Sequence, residues 1–234
     1  MKTRIDDRET AVSQAADSFC ALLAEKPEAV VALGANDECL TLYRELRRRV
    51  ESGALDLTRA RFFALTEFEG LAGDDGRSCR ARLRAALLDR ADPEGGRSVF
   101  LSAETIPDID RRIEDCGGLD LVVLGLGERG RVGFNEPGTP FDAPTHRQKL
   151  TKATGRELAA LFGGEEQVPA FGVTLGIHAL VRAGKRIVLA FGEDRADPVF
   201  RMLYARTDSF VPAAFLQIPL ETEIYLDPAA AAKI

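Results

Sequence analysis

The chain has 234 residues, 45% of them hydrophobic, with a formal net charge of -6 and a pI near 5.2. That length suits one α/β domain spanning 1–234, and the acidic balance excludes a general nucleic-acid binder or a protein held on an anionic membrane surface. Cys20, Cys39, Cys79 and Cys116 are widely spaced, without a Cys-x-x-Cys pair, and the chain has only two histidines. No metal or cofactor site is therefore expected. The polar amino terminus lacks the apolar stretch of a signal peptide and no later run reaches the length of a membrane span. The expectation is a cytoplasmic protein whose partner is a small molecule or, as a homo-oligomer, a second copy of itself.

The elements follow in order. Val12, Ala15, Ala16, Phe19, Leu22 and Leu23 fall on one face of a first helix that Pro27 stops, and Ala29 to Leu33 reads as a strand. Asn36 or Asp37 can cap a second helix with a stripe of Leu40, Tyr43, Leu46 and Val50. A strand at 61–65, a helix at 78–90, a strand at 99–101 and a helix near 109–116 come next. An apolar strand then starts at Leu119 and ends in Gly125. Beyond it lie a short strand at 148–151, helices at 156–162 and 175–181, a strand at 186–191, a helix to Tyr204 and a closing strand at 223–226, with the alanines of the carboxyl terminus read as a frayed tail. Alternation of this kind predicts a three-layer, doubly wound, mostly parallel sheet of Rossmann-like type.

The most specific stretch runs from Gly125 to Pro137 and reads GLGERGRVGFNEP. Its glycines let a backbone turn sharply at the carboxyl end of a buried strand, where open α/β sheets bind ligands. The loop resembles that of the glucosamine-6-phosphate isomerase/deaminase family and its 6-phosphogluconolactonase relatives. The family pattern is Gly-x-Gly-x-Asp-Gly-His, a small apolar pair, then Phe-Asn-Glu-Pro. Gly125, Gly127, Gly130, Phe134, Asn135, Glu136 and Pro137 are kept, whereas Arg129 replaces the Asp and Arg131 the His.

The resemblance implies a sugar-phosphate enzyme in which the loop's Asp, His and Glu form a relay that opens the sugar ring. A second family triplet, Asp-Glu-Tyr, begins with the base that removes the sugar C2 proton. The matching stretch here is Thr66-Glu67-Phe68. A hydroxyl is far too weak an acid to act as a free base near neutral pH, and an arginine stays protonated throughout. The deaminase reaction is therefore expected to be weak or absent. Glu136 remains the principal catalytic carboxylate, with Glu67 and His178 as candidate replacement proton carriers. His146 falls in a Pro-rich segment resembling the family's lid and reads as a loop residue.

For substrate binding, the resemblance implies a phosphate cradle after the first predicted strand, here Gly34-Ala35-Asn36-Asp37-Glu38, and a second turn in which Arg195 takes the place of a phosphate-binding Lys. Gly34, Asn36, Thr66, Gly127, Arg129, Arg131, Asn135 and Arg195 form the candidate set, although Asp37 and Glu38 would repel a dianion. Two readings of the loop arginines stay open. They grip the anion of a sugar phosphate or sugar acid, with Asn135 and Glu136 on its hydroxyls, or they pair with Glu136 and nearby acids and fill a disused pocket. The matching functions are a divergent isomerase/deaminase-type enzyme, a non-catalytic phosphosugar-binding protein, or a paralogue that acts through a protein partner.

Overall fold

Apolar residues alternate sides along the central strands, as a sheet buried on both faces requires. Val31, Leu33, Leu121, Val123, Ile187 and Leu189 join one hydrophobic cluster; Val30, Ala32, Val122, Leu124, Val188 and Ala190 join the other. In the computed structural model, which describes residues 1–218 and 221–234, the chain runs β1 (Lys2–Ile5), α1 (Arg8–Glu25), β2 (Val30–Leu33), α2 (Asp37–Glu51), β3 (Arg61–Ala64), β4 (Thr66–Phe68) and α3 (Cys79–Leu83). A π turn, Arg84–Leu88, leads into α4 (Asp89–Ala91), followed by β5 (Ser98–Val99), α5 (Ile106–Asp115) and β6 (Leu121–Gly125). The remainder is β7 (His146–Lys149), α6 (Lys152–Phe162), β8 (Phe171–Thr174), α7 (Ile177–Arg182), β9 (Lys185–Ala190), α8 (Ala196–Tyr204) and β10 (Thr222–Leu226).

A seven-stranded sheet in the order β1-β10-β9-β6-β2-β3-β5 is parallel throughout. Helices α1, α2 and α3 pack on one face, and α5, α7 and α8 on the other. This is the doubly wound α/β fold. From β2 the chain winds outward through β3 to β5, and from β6 it winds the other way through β9 to β10. The reversal lies between the adjacent strands β2 and β6, and the loops leaving them diverge to open a cleft there. A smaller antiparallel sheet, β4-β8-β7, stands beside that point. Among the described residues no helix is long and apolar enough to cross a membrane.

One strand goes beyond the sequence expectations and three expectations change. Lys2–Ile5 pairs with β10 as an edge strand, but all its residues are exposed, so no hydrophobic pattern marks it. His146 begins β7 instead of lying in a loop, its Nδ1 within 2.8 Å of the Pro144 carbonyl oxygen. The terminal alanines are not frayed: Ala230 is fully buried and its N–H donates to Asp227 Oδ1 at 2.8 Å. Asn36 is the N-cap residue of α2 without capping it by its side chain, because its amide is drawn to Glu38.

Candidate active site

The cleft at the reversal point has a volume of about 380 Å³ and takes its walls from the carboxyl ends of β2, β3 and β6, the first turns of α2 and α3, α6, and the turn before α8. Of the residues singled out from sequence, Gly34, Asn36, Thr66, Gly127, Arg131 and Arg195 line it. Gly127 is there for close approach: a Cβ at that position would lie 2.5 Å from Arg131 Nη2, so only glycine lets the guanidinium lie flat over the loop.

Arg131 and Arg195 are not free to grip a ligand. Arg131 Nη2 donates to Glu157 Oε2 at 2.8 Å, and Nη1 donates to the Gly133 carbonyl. Its guanidinium also stands 5.9 Å from the Phe134 ring centroid. Arg195 reaches Glu157 Oε1 at 3.1 Å with Nη2 and Glu38 Oε1 at 3.1 Å with Nε. Glu38 in turn accepts from Asn36 Nδ2 at 2.5 Å. The result is a continuous chain, Arg131–Glu157–Arg195–Glu38–Asn36, along the cleft wall. Burial by itself would raise the Glu157 carboxyl; Arg131 and Arg195, with the Glu128 N–H, overcome it and hold the group below the usual carboxylate range.

The proton carriers expected from sequence are elsewhere. Glu136 is buried, but its carboxylate accepts from the Thr151 N–H at 3.1 Å and from Thr154 Oγ1 at 2.5 Å. It closes the start of α6 and contacts neither loop arginine, as a negative charge at a helix N-terminus is favoured to do. Glu67 is spent in the same way. Its Oε1 accepts from the N–H of Phe68 and Cys79 at 2.8 and 2.9 Å, and its Oε2 from the Arg80 N–H at 2.9 Å, so it caps α3. Glu67→Ala should therefore cost about 2 kcal/mol of stability, typical of losing a charged helix cap. A lowered midpoint in urea denaturation would register it; an unchanged midpoint would remove Glu67 from this structural role.

His178 is exposed on α7 and does not line the cleft. Arg129 is exposed too, at φ 60°, where the left-handed backbone turns its side chain out to solvent. That conformation suits Asp or Asn far better than a long side chain. Asn135 is fully buried, and its Nδ2 donates to the Val132 and Leu175 carbonyls at 2.9 Å each. It ties the loop to the end of β8 and is out of reach of a ligand in the cleft. Thr66 faces the cleft with its hydroxyl 3.4 Å from Cys79 Sγ. Burial pushes the Cys79 thiol up to about 12, so it offers no thiolate near neutral pH.

Glu157 escaped the sequence reading. On α6 it looks like any polar residue of an amphipathic helix, and only the fold brings it between two arginines from distant loops. Among the described residues the carboxylates lining the cleft are Asp37, Glu38 and Glu157, and each is ion-paired, Asp37 with Arg82.

The architecture defines a doubly wound α/β protein with a cleft at the carboxyl edge of the sheet. Over 229 residues the chain is 34% identical to a glucosamine-6-phosphate deaminase of Mycolicibacterium smegmatis, covering 95% of this chain and 88% of that protein. A Streptomyces avermitilis protein of the same name is also 34% identical, over 94% of this chain and 87% of the relative. A solved monomeric glucosamine-6-phosphate deaminase superposes with a TM-score of 0.94 at 26% identity, over 100% of both chains. The 6-phosphogluconolactonase of Leishmania guyanensis, with a TM-score of 0.80 at 18% identity over 100% of this chain and 98% of its own, shares the fold. No family model matches the chain. The chain belongs to the glucosamine-6-phosphate deaminase family, and so to carbohydrate metabolism on its amino-sugar side.

Proposed function

We propose that the chain, acting as one domain, is a sugar-binding member of this family in which deaminase turnover is weak or absent. The observation that carries the reading is the state of the cleft's acids. Thr66 and Arg131 stand where the family pattern has its base and its histidine, and Asp37, Glu38 and Glu157 are each committed to an arginine. A general base must be within hydrogen-bond reach of the proton it removes and able to accept it. Glu136 and Glu67, the nearest candidates from sequence, are held by helix N-termini instead.

Sugar binding is supported by the cleft's size and walls. Leu65, Phe68, Phe134 and Leu161 supply apolar surface for a ring face, and the Thr66 hydroxyl with the ion-paired side chains gives the wall its polar groups. The test is release of ammonia and fructose 6-phosphate from glucosamine 6-phosphate, measured beside the Mycolicibacterium smegmatis relative. Turnover comparable with the relative's would overturn the proposal.

A further inference from the structure

The mouth of α2 is constructed as an anion subsite. A helix of 15 residues begins there without a side-chain cap on its first N–H groups. Asn36 adds an amide, and Arg195 reaches in from the turn before α8 with a side chain 14% exposed. Unfilled helix N-termini beside an arginine attract anions, phosphate among them. Here the anion is the chain's own, since the Glu38 carboxylate takes both the Arg195 Nε and the Asn36 Nδ2 donors.

We propose that Glu38 is a built-in occupant of this subsite, so that the cleft rejects phosphate monoesters and takes an unphosphorylated sugar. The inference rests on the sugar-binding reading above and narrows it to a ligand class. Three observations converge on it. The two side-chain donors at this mouth, Arg195 Nε and Asn36 Nδ2, are spent on Glu38. The charges lining the cleft already cancel, with Asp37, Glu38 and Glu157 against Arg82, Arg131 and Arg195, so a dianion would enter unmatched and next to a carboxylate. Arg131 Nε, on a side chain 9% exposed in the same wall, is enclosed and without an acceptor, so a sugar oxygen meets it only if the guanidinium shifts. A buried donor in that state gains from any hydroxyl or ring oxygen that reaches it.

The test compares the wild type with Glu38→Ser, and with Glu38→Gln as the variant that keeps the shape and removes the charge. Titration calorimetry with inorganic phosphate should give a Kd at least about tenfold tighter in the variants, equivalent to about 1.4 kcal/mol, and adding Arg195→Ala should abolish the gain. The wild type should bind glucose at least as tightly as glucose 6-phosphate, and the Glu38 variants should reverse that order. Equal phosphate affinity in wild type and variants, a wild-type preference for the 6-phosphate, or a wild type that binds neither sugar would each overturn the inference. Turnover separates the two proposals. A wild type that prefers glucose 6-phosphate yet releases no ammonia sinks this inference alone; one that prefers glucose yet releases ammonia from glucosamine 6-phosphate sinks the proposed function alone.

Discussion

Glu157→Ala should lower the unfolding free energy by about 3–5 kcal/mol, the cost of leaving buried charge without its partner. The carboxylate bridges Arg131 and Arg195, whose side chains are 9% and 14% exposed. Its loss strands Arg131, which keeps only the Gly133 carbonyl, and leaves Arg195 with Glu38 and Asp194 alone. Glu157→Gln keeps the shape and an acceptor oxygen but not the charge, and should fall between wild type and alanine. The effect also has a pH signature. The Glu157 carboxyl is held below its ordinary value of 4.5, so its contribution is complete above that value and is lost as pH falls through the lower folded one. Wild-type stability should therefore decline on acidification below about pH 4.5 more steeply than that of Glu157→Ala. Urea denaturation of both proteins across this range measures the difference, and parallel pH profiles would mean that the bridge contributes nothing.

Ammonia release from glucosamine 6-phosphate should run at least about 10⁴-fold slower than in a relative with the intact Asp-Gly-His loop. A positioned general acid or base is worth about 10²–10⁴ in rate, and the family resemblance assigns one to the position of Thr66 and another to that of Arg131. Groups acting as a unit do not recover additively. Arg131→His alone should not restore the rate, because Thr66 still faces the sugar and Glu157 loses one of its two arginines. Thr66→Asp alone leaves ring opening without its histidine. A rate within tenfold of the intact relative's, measured with a coupled ammonia assay, would contradict the account.

The buried strands β2, β6 and β9 were legible because uninterrupted apolar runs ending in glycine or at a helix start have few other readings. The edge strand β1 was not, since its exposed residues carry no pattern, and the short strands β4, β7 and β8 owe their pairing to one another more than to their own sequences. At the site, the resemblance to the family's motifs singled out Gly34, Asn36, Thr66, Gly127, Arg131 and Arg195, and they meet in one cleft because each follows the end of a strand whose position the sheet determines. Motif spacing does not say which way a carboxylate turns. Glu67 and Glu136 turn toward the first turns of α3 and α6, and the presence of those helix ends beside them is a tertiary fact. Arg129 fits neither reading for a backbone reason: at φ 60° the loop takes a left-handed conformation and turns the arginine outward. Of the two readings of the loop arginines, the ion-pair one describes Arg131, whose partner is the nearby acid Glu157 and not Glu136.

The most direct measurement is proton exchange at the sugar's C2, which the family resemblance assigns to the position of Thr66 and which does not require completed turnover. Glucosamine 6-phosphate would be incubated with the protein in deuterium oxide and followed by proton NMR, with the Mycolicibacterium smegmatis relative in parallel. The C2 proton signal should persist with this protein while it is lost with the relative; its loss at a comparable rate would show a working base in the cleft and overturn the proposed absence of deaminase turnover.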